Sequence, residues 1–443
     1  MKRSWRLASG MLATIMLSGC GGSNALPPTK QNVDSATPKQ SLTLAADDDG
    51  TPAGSGVVTT SAVGEPLQKT AADDDDGELK IAAPKKDSPE WYILQITRLK
   101  LRPLGDDVDA FSQTPEKQAE LRRERNEQLV NLATEAIVRT HKNKSEAGQR
   151  FFDLAVHHLL EAELQLALAG DKDHIDAIYE HASSLYERDP KSKSAIEAGQ
   201  ALISFTRLKA QRFGQQEPKW LEEYARLARQ FATSFPQEER QAIAILFAAG
   251  QSCEFHGLTA DAIQCYATIR DQFPENAAVD RAAGILRRLN LKGQPLQLAG
   301  PTLGGGYVNA AEMTGKPLLV VFWTTQAQPF VKQLPKLQEL LGQIDSERLN
   351  VVSVNLDDDD NESAVETFLE TNGLNWPTIF QTDADKRGWN NPVATHYGIQ
   401  SVPLYWVVSS KGNVVETSDN VQQIEPLLRK LMTPKQTSEN GQK

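Results

Sequence analysis

The feature that most constrains this fold is a continuous apolar strand followed at once by an amphipathic helix. Residues 318–321 read LLVV, a run typical of a strand that is covered on both faces. After a short polar turn, four leucines between Leu334 and Leu341 recur at spacings of three and four, which indicates a helix with one apolar face. A strand joined to a helix in this way indicates an α/β domain.

The pattern predicts that this domain covers residues 293–433. It begins with a lead-in hairpin over residues 296–308, which turns at the three glycines 304–306. The other strands are predicted over residues 317–323, 349–355, 378–381, 404–409 and 413–417, and the helices over residues 329–343, 361–372, 391–397 and 421–432. Alternation of this kind, closed by a β-hairpin and a helix, predicts an α/β sandwich with a mixed sheet.

The turn after the first long strand carries a family resemblance. Residues 322–330 read FWTTQAQPF, which resembles the FWATWCPPC turn of membrane-anchored thiol-disulfide oxidoreductases of the TlpA/ResA kind. The matching residues are Phe322, Trp323, Thr325 and Pro329. Residues 315–317, 352–359, 376–378 and 397–403 resemble further segments of that family. The resemblance implies a thioredoxin-like redoxin domain of the AhpC/TSA type, with a cis peptide bond before Pro403.

The two positions of the family's reactive cysteines hold Ala327 and Phe330. Disulfide exchange needs a thiolate as the attacking group, which neither a methyl group nor a phenyl ring supplies. The sequence therefore predicts no catalytic residue at this turn. Hydrolysis has no support either, because His396 is the only histidine of the predicted domain and no GxSxG pattern occurs.

A function without a thiol remains open to the turn and its surroundings. The resemblance implies that the backbone of Ser401 and Val402, beside Pro403, pairs with an extended stretch of a client protein. Strand addition of this kind uses main-chain donors and acceptors. Trp323, Pro329 and Phe330 would then add an apolar rim. In the alternative, Phe330 packs into the space of the missing cysteine and the domain is an inert scaffold.

The N-terminus has the pattern of a targeting segment. Lys2, Arg3 and Arg6 precede an apolar run over residues 7–17, which is too short for a helix that spans a bilayer. Residues 17–20 then read LSGC and fit a bacterial lipobox. We predict a signal peptide over residues 1–19, cleavage before Cys20 and lipidation of its sulfur, with an ordinary secretory signal as the alternative.

Residues 20–87 and 434–443 are predicted to be disordered. The first segment is rich in Pro, Gly, Ser, Thr and Ala, contains no aromatic residue and shows no apolar period. Its acidic stretches, residues 45–50 and 71–77, lack the alternating ligands and distal Glu of a calcium-binding EF-hand loop. An acidic tether that holds the folded part away from a membrane is the interpretation we favour.

Residues 88–292 show a helical pattern throughout. Ser88 followed by Pro and Glu predicts a helix start. Helical runs are predicted to end at the pairs 189–190, 235–236 and 273–274, each of which has Pro as its second residue. Residues 262–274 resemble the second helix of a tetratricopeptide (TPR) repeat. We predict an all-α stack of TPR-like helical hairpins, some of whose residues line a concave peptide-binding face.

Two cysteines and most of the histidines lie in this helical region. Cys253 and Cys265 are predicted on consecutive helices around a turn at Gly257; they form either a disulfide or two small buried side chains. His157 and Glu161 share a helix face, with His158 beside them. No further ligand follows at a recognised metal spacing, so the sequence predicts no metal site and no cofactor.

These patterns favour a protein that is not an enzyme. The net charge of −11 disfavours nucleic acid as a partner. We expect a lipid-anchored protein of the bacterial envelope, facing the periplasm or the exterior, whose two domains bind envelope proteins or peptides. The alternative is an oxidoreductase of the TlpA/ResA kind in envelope redox chemistry or cytochrome maturation, with Cys253 and Cys265 as its reactive pair.

Overall fold

The helical half of the chain consists of helices in close succession, and the first five described helices each begin with a side-chain cap. The computed structural model describes residues 83–104, 114–358 and 362–432. The predicted signal peptide, Cys20, most of the predicted tether and the predicted C-terminal tail lie outside these residues. The α-helices described before the first strand are α1 (Pro89–Leu101), α2 (Pro115–Thr140), α3 (Glu146–Leu168), α4 (Lys172–Arg188), α5 (Lys193–Phe213), α6 (Lys219–Ser234), α7 (Glu239–Phe255), α8 (Thr259–Gln272) and α9 (Ala278–Leu289).

The ends of these helices follow from local chemistry. The hydroxyl of Ser88 accepts a hydrogen bond from the amide of Trp91 at 3.3 Å, which confirms the predicted helix start. The predicted ends before Pro190, Pro236 and Pro274 are also confirmed, because α4, α6 and α8 each stop two residues before them. Proline has no N–H for the helix ladder and disfavours a helical residue before it.

Each helix from α1 to α8 packs against the helix that follows it. In addition, α3 contacts α5 and α6 contacts α8. Small side chains at the contacts permit this spacing; Ala225, Ala228, Ala249 and Ala262 are fully buried. The first half of the described structure is therefore a stack of helices whose buried apolar residues form several clusters. No described helix combines the length and the apolar composition that a bilayer crossing requires.

The second half is an α/β domain with two sheets among the described residues. A short hairpin, β1 and β2, stands beside a five-stranded sheet in the order β5-β4-β3-β6-β7. The elements are β1 (Ala299–Pro301), β2 (Tyr307–Asn309), β3 (Leu318–Trp323), α10 (Gln328–Gly342), β4 (Asn350–Asn355), α11 (Glu362–Thr371), β5 (Thr378–Ile379), α12 (Pro392–Tyr397), β6 (Leu404–Val408), β7 (Val414–Ser418) and α13 (Val421–Met432).

Strand β3 is the centre of the larger sheet. It pairs in parallel with β4 and antiparallel with β6, so the predicted mixed sheet is confirmed. Leu318, Val320 and Phe322 point into the core on the α12 side. The other three side chains of β3 point into the core under α10, α11 and α13. Burial on both faces explains why this strand reads as an unbroken apolar run, and the arrangement is a thioredoxin-like α/β sandwich.

The helical stack and the α/β domain pack directly against each other through α9 and α12. Both belong to one unit of the structure, Lys80–Lys443. The backbones of Gly284 in α9 and Gly398 after α12 lie back to back; a Cβ added at Gly398 would stand 2.5 Å from the amide nitrogen of Ile285. The guanidinium of Arg287 also donates to the carbonyl of His396. Glycine is needed where two backbones approach this closely.

We expect Gly284→Ala to lower the free energy of unfolding by about 1–3 kcal/mol, because overpacking of a closed contact has this effect. The added methyl carbon would lie 2.7 Å from the carbonyl oxygen of Thr395 and 2.9 Å from the amide of Gly398. Neither backbone group can rotate away. Urea unfolding followed by circular dichroism measures the change.

Gly342→Ala is the matched control, because the same methyl group at the end of α10 would meet nothing within 4 Å. Alanine is more favourable than glycine in a helix by about 0.5–1 kcal/mol, so this variant should be at least as stable as the wild type. Equal unfolding midpoints for the two variants would contradict the close contact between α9 and α12.

Candidate functional site

The loop between β3 and α10, residues 324–327, is held by a buried carboxylate. Both oxygens of Asp357 accept from the amide of Thr325 at 3.0 Å, and one also accepts from its hydroxyl at 3.0 Å. The side-chain amide of Asn355 donates to the same carboxylate at 2.7 Å. Asp357 therefore fixes the start of the loop.

The sequence patterns did not identify Asp357 as a site residue. It begins an acidic run over residues 357–360, and its carboxylate bonds to the loop after β3. The parallel pairing of β3 and β4, with Trp323 opposite Asn355, brings the two strand ends together. Adjacency of these two ends was the signal that could have found the contact.

The positions that correspond to the family's cysteines lie at the start of α10. Ala327 is the N-cap of this helix and makes no side-chain hydrogen bond. Its carbonyl accepts from the amides of Phe330 at 2.9 Å and Val331 at 3.0 Å. A helix N-terminus favours a negative charge and would stabilise a thiolate at this position, but the methyl group of Ala327 provides no ionisable atom.

Trp323 and Phe330 are fully buried, so they do not form the exposed apolar rim that the sequence predicted for them. Their ring centroids are 5.3 Å apart, and Phe368 packs 5.1 Å from Trp323. Burial of large aromatic side chains contributes strongly to the stability of a core. The ring that covers Trp323 is that of Phe368 on α11. Of the two alternatives for Phe330, the structure shows the packed one, and Pro329 alone of the three predicted rim residues is exposed.

The peptide bond between Val402 and Pro403 is cis, as predicted. Pro403 is buried, Val402 is half-buried and Ser401 is exposed. Within the described part of the chain, the amides and carbonyls of Ser401 and Val402 make no hydrogen bond. Regular pairing starts one residue after the proline, where Leu404 stands opposite Phe322. This register places the unpaired backbone of Ser401 and Val402 at the same end of the sheet as the loop after β3.

The helical domain contacts the segment next to this exposed backbone. The side-chain amides of Gln251 in α7 and Gln400 hydrogen-bond at 2.8 Å. One helical turn beyond Gln251 lies Phe255, whose side chain is 86% exposed. An exposed apolar ring therefore lies on the same helix as the contact to Gln400.

Cys253 and Cys265 are fully buried free thiols on α7 and α8. Burial raises the pKa of Cys253 to about 12 and that of Cys265 to about 11. Their sulfurs lie 3.7 Å and 3.9 Å from the carbonyls of Leu221 and Ala225. Reactive thiols are accessible and have a lowered pKa, so these two have the properties of packed side chains.

The α/β domain is similar to known redoxins. Residues 293–417 match the AhpC/TSA family. The thiol-disulfide oxidoreductase ResA of Halalkalibacterium halodurans is 25% identical over 114 residues, which cover 26% of this chain and 60% of that protein. The thioredoxin-like protein YneN of Bacillus subtilis is 29% identical over 112 residues, which cover 25% of this chain and 61% of that protein.

A solved structure extends the comparison. The thioredoxin domain of a thiol-disulfide oxidoreductase from Bacteroides vulgatus is 19% identical, and the alignment covers 32% of this chain and 98% of that chain with a TM-score of 0.29. The chain spans about 60% of the length of the curated relatives named above. Its redoxin domain is related to thiol-disulfide oxidoreductases, and residues 293–417 contain no cysteine.

The buried thiols lead to a prediction about pH. A thiol whose pKa is raised on folding stabilises the folded state below its unfolded pKa, and this contribution is lost as pH rises toward the folded pKa. Ordinary thiols ionise near pH 9. Between pH 9 and pH 11, we therefore expect the urea midpoint of the wild type to fall more steeply than that of a C253A/C265A variant, which also serves as the control for other titrating groups.

Labelling with Ellman's reagent checks the same thiols directly. All samples carry Cys20→Ser, which removes the third cysteine thiol of the chain. The folded protein should leave Cys253 and Cys265 unlabelled, and both should react in denaturant. Rapid labelling of either thiol in the folded protein, or parallel pH profiles for the two proteins, would show that burial does not control these sulfurs.

Proposed function

We propose that the α/β domain is a redox-inactive thioredoxin-like domain that binds extended polypeptide segments. The protein as a whole would be a lipid-anchored component of the bacterial envelope, with a TPR-like helical domain as a second binding module. Its partners would be envelope proteins or peptides. The lipid anchor is inferred from Cys20 and the residues before it.

One observation carries this proposal: the backbone groups of Ser401, which is exposed, and of Val402, which is half-buried, have no hydrogen-bond partner among the described residues. Exposed, unpaired main-chain groups at the end of a strand are the groups that strand addition uses. Regular pairing of β6 with β3 starts only at Leu404, after this segment. Pro329 and Phe255 supply exposed apolar surface from the two domains.

The absence of cysteine in residues 293–417 supports the redox-inactive half of the proposal. Ala327 stands where a thiolate would benefit from the helix N-terminus, and Phe330 fills the core behind it. The names of the relatives favour a second candidate, a thiol-disulfide oxidoreductase in envelope redox chemistry or cytochrome maturation. That candidate requires Cys253 and Cys265 to react, and burial with a raised pKa opposes this.

Selection of peptides from a random library on the purified chain tests the binding function. A selected peptide should lose affinity about tenfold or more when alternate amides are N-methylated, because every second residue of an added strand faces the protein backbone. Fluorescence polarisation measures the affinity. Uniform tolerance of N-methylation would show that binding does not use the peptide backbone.

Val402→Asp and Leu208→Asp form a matched pair for this assay. Both change a partly exposed apolar residue to aspartate, but Leu208 lies on α5, far along the chain from Pro403. We expect the first variant to lose binding and the second to retain it. Equal binding by both variants, or no peptide selected at all, would contradict the proposed site.

Restoring the cysteines tests the redox assignment. We expect A327C/F330C, in a background without Cys20, Cys253 and Cys265, to gain dithiol-dependent reduction of insulin, because the N-terminus of α10 would stabilise a thiolate at position 327. The control is A327S/F330S, which removes the same phenyl ring but adds no sulfur. The wild type should not exceed the C253A/C265A variant, and activity well above that variant would support the oxidoreductase instead.

A further inference from the structure

We propose that His157, His158 and Glu161 on α3 bind a divalent transition metal such as Zn²⁺. One ligand atom from each side chain lies within 4.8 Å of the other two. Nε2 of His157 and Nδ1 of His158 are each 3.9 Å from the same carboxylate oxygen of Glu161. Two imidazoles and one carboxylate form a common donor set for zinc, with water at a fourth position.

The distances suit a site that closes on the metal. Zinc binds nitrogen and oxygen at about 2.0–2.2 Å, so ligand atoms around it stand about 3.3 Å apart. Each imidazole must therefore approach Glu161 by about half an ångström. Glu161 lies four residues after His157 and three after His158, and so shares a helix face with each. We expect side-chain rotations on α3, which also bring the two nitrogens together, to close the site.

The state of His158 points to a missing partner. Its side chain is only 13% exposed, and its Nδ1 atom is buried without a hydrogen bond within the described structure. Buried polar atoms are rarely left unpaired, since each such atom loses its hydration without compensation. A metal bound between this nitrogen and Glu161 would supply the partner.

The second nitrogen of His157 is oriented by a neighbouring helix. Nδ1 of His157 bonds to the carboxylate of Glu197 on α5, which leaves the lone pair of Nε2 directed to the side of Glu161. Histidines that bind metals usually donate their other N–H to a carboxylate in this way. Glu197 is therefore a positioning residue for the site.

Lys100 competes for the same carboxylate. Its ammonium on α1 lies 2.5 Å from the Glu161 oxygen that both imidazoles face. A metal ion would have to displace this ammonium, whose side chain is one-third exposed and has space to swing into solvent. Removal of the lysine charge should therefore strengthen metal binding, whereas a network that is only structural would be weakened by the same change.

Calorimetric titration of the chelator-treated full chain with Zn²⁺ tests the proposal. We expect one equivalent to bind with micromolar affinity and Lys100→Met to bind more tightly. Glu161→Gln should abolish binding, and Glu197→Gln should weaken it by about tenfold, as the loss of an orienting carboxylate usually does. His256→Ala, which changes a histidine outside the cluster, should bind as the wild type does.

Co²⁺ absorption adds a readout of the ligands, because a site with two imidazoles and few waters gives intense visible bands. These bands should disappear in His158→Ala, with circular dichroism as the check that the variant is folded. Glu161 and Lys100 are partly exposed, so we expect variants at these two positions to fold. Their metal binding therefore tests the proposal even if His158→Ala does not fold. Unchanged binding in Glu161→Gln, weaker binding in Lys100→Met or no stoichiometric binding would overturn the proposal.

Discussion

The burial of β3 on both faces is the constraint on which the rest of the α/β domain depends. Its side chains alternate between two apolar cores. Its registers with β4 and β6 fix the positions of the segments that follow β4 and precede β6. The first register brings Asp357 to Thr325, and the second places Pro403 at the same end of the sheet. A shift of one residue would turn every β3 side chain to the opposite core, so core packing also holds the site in place.

Local patterns predicted the elements of this fold well, because periodicity and helix caps are written in neighbouring residues. The apolar run of β3, the cap at Ser88 and the helix ends before three prolines need no knowledge of distant contacts. The mixed sheet followed from the order of strands and helices. The cis bond before Pro403 was predicted from resemblance, since no local rule makes one proline cis.

The parts that sequence patterns could not predict involve partners far along the chain. The sequence around an aromatic residue does not show whether its side chain is exposed or buried. Phe330 is buried because the rings of Trp323 and Phe368 pack against it. The carboxylate of Asp357 finds its partner 32 residues away. The orientation of His157 by Glu197 joins two helices across 40 residues. In each case tertiary packing chose between local alternatives of similar energy.

The contact between α9 and α12 joins the two domains, and each domain has a different role in the proposed binding function. Gly284 and Gly398 hold the two domains in van der Waals contact, and Gln251 bonds to Gln400, immediately before the exposed backbone. Strand addition at Ser401 is insensitive to the partner's side chains, since it uses main-chain groups. Selection among partners must then come from side chains nearby, and the exposed ring of Phe255 lies on the helical stack. Under the proposed function, the α/β domain would supply affinity for any extended segment, while the helical domain would decide which segment is bound.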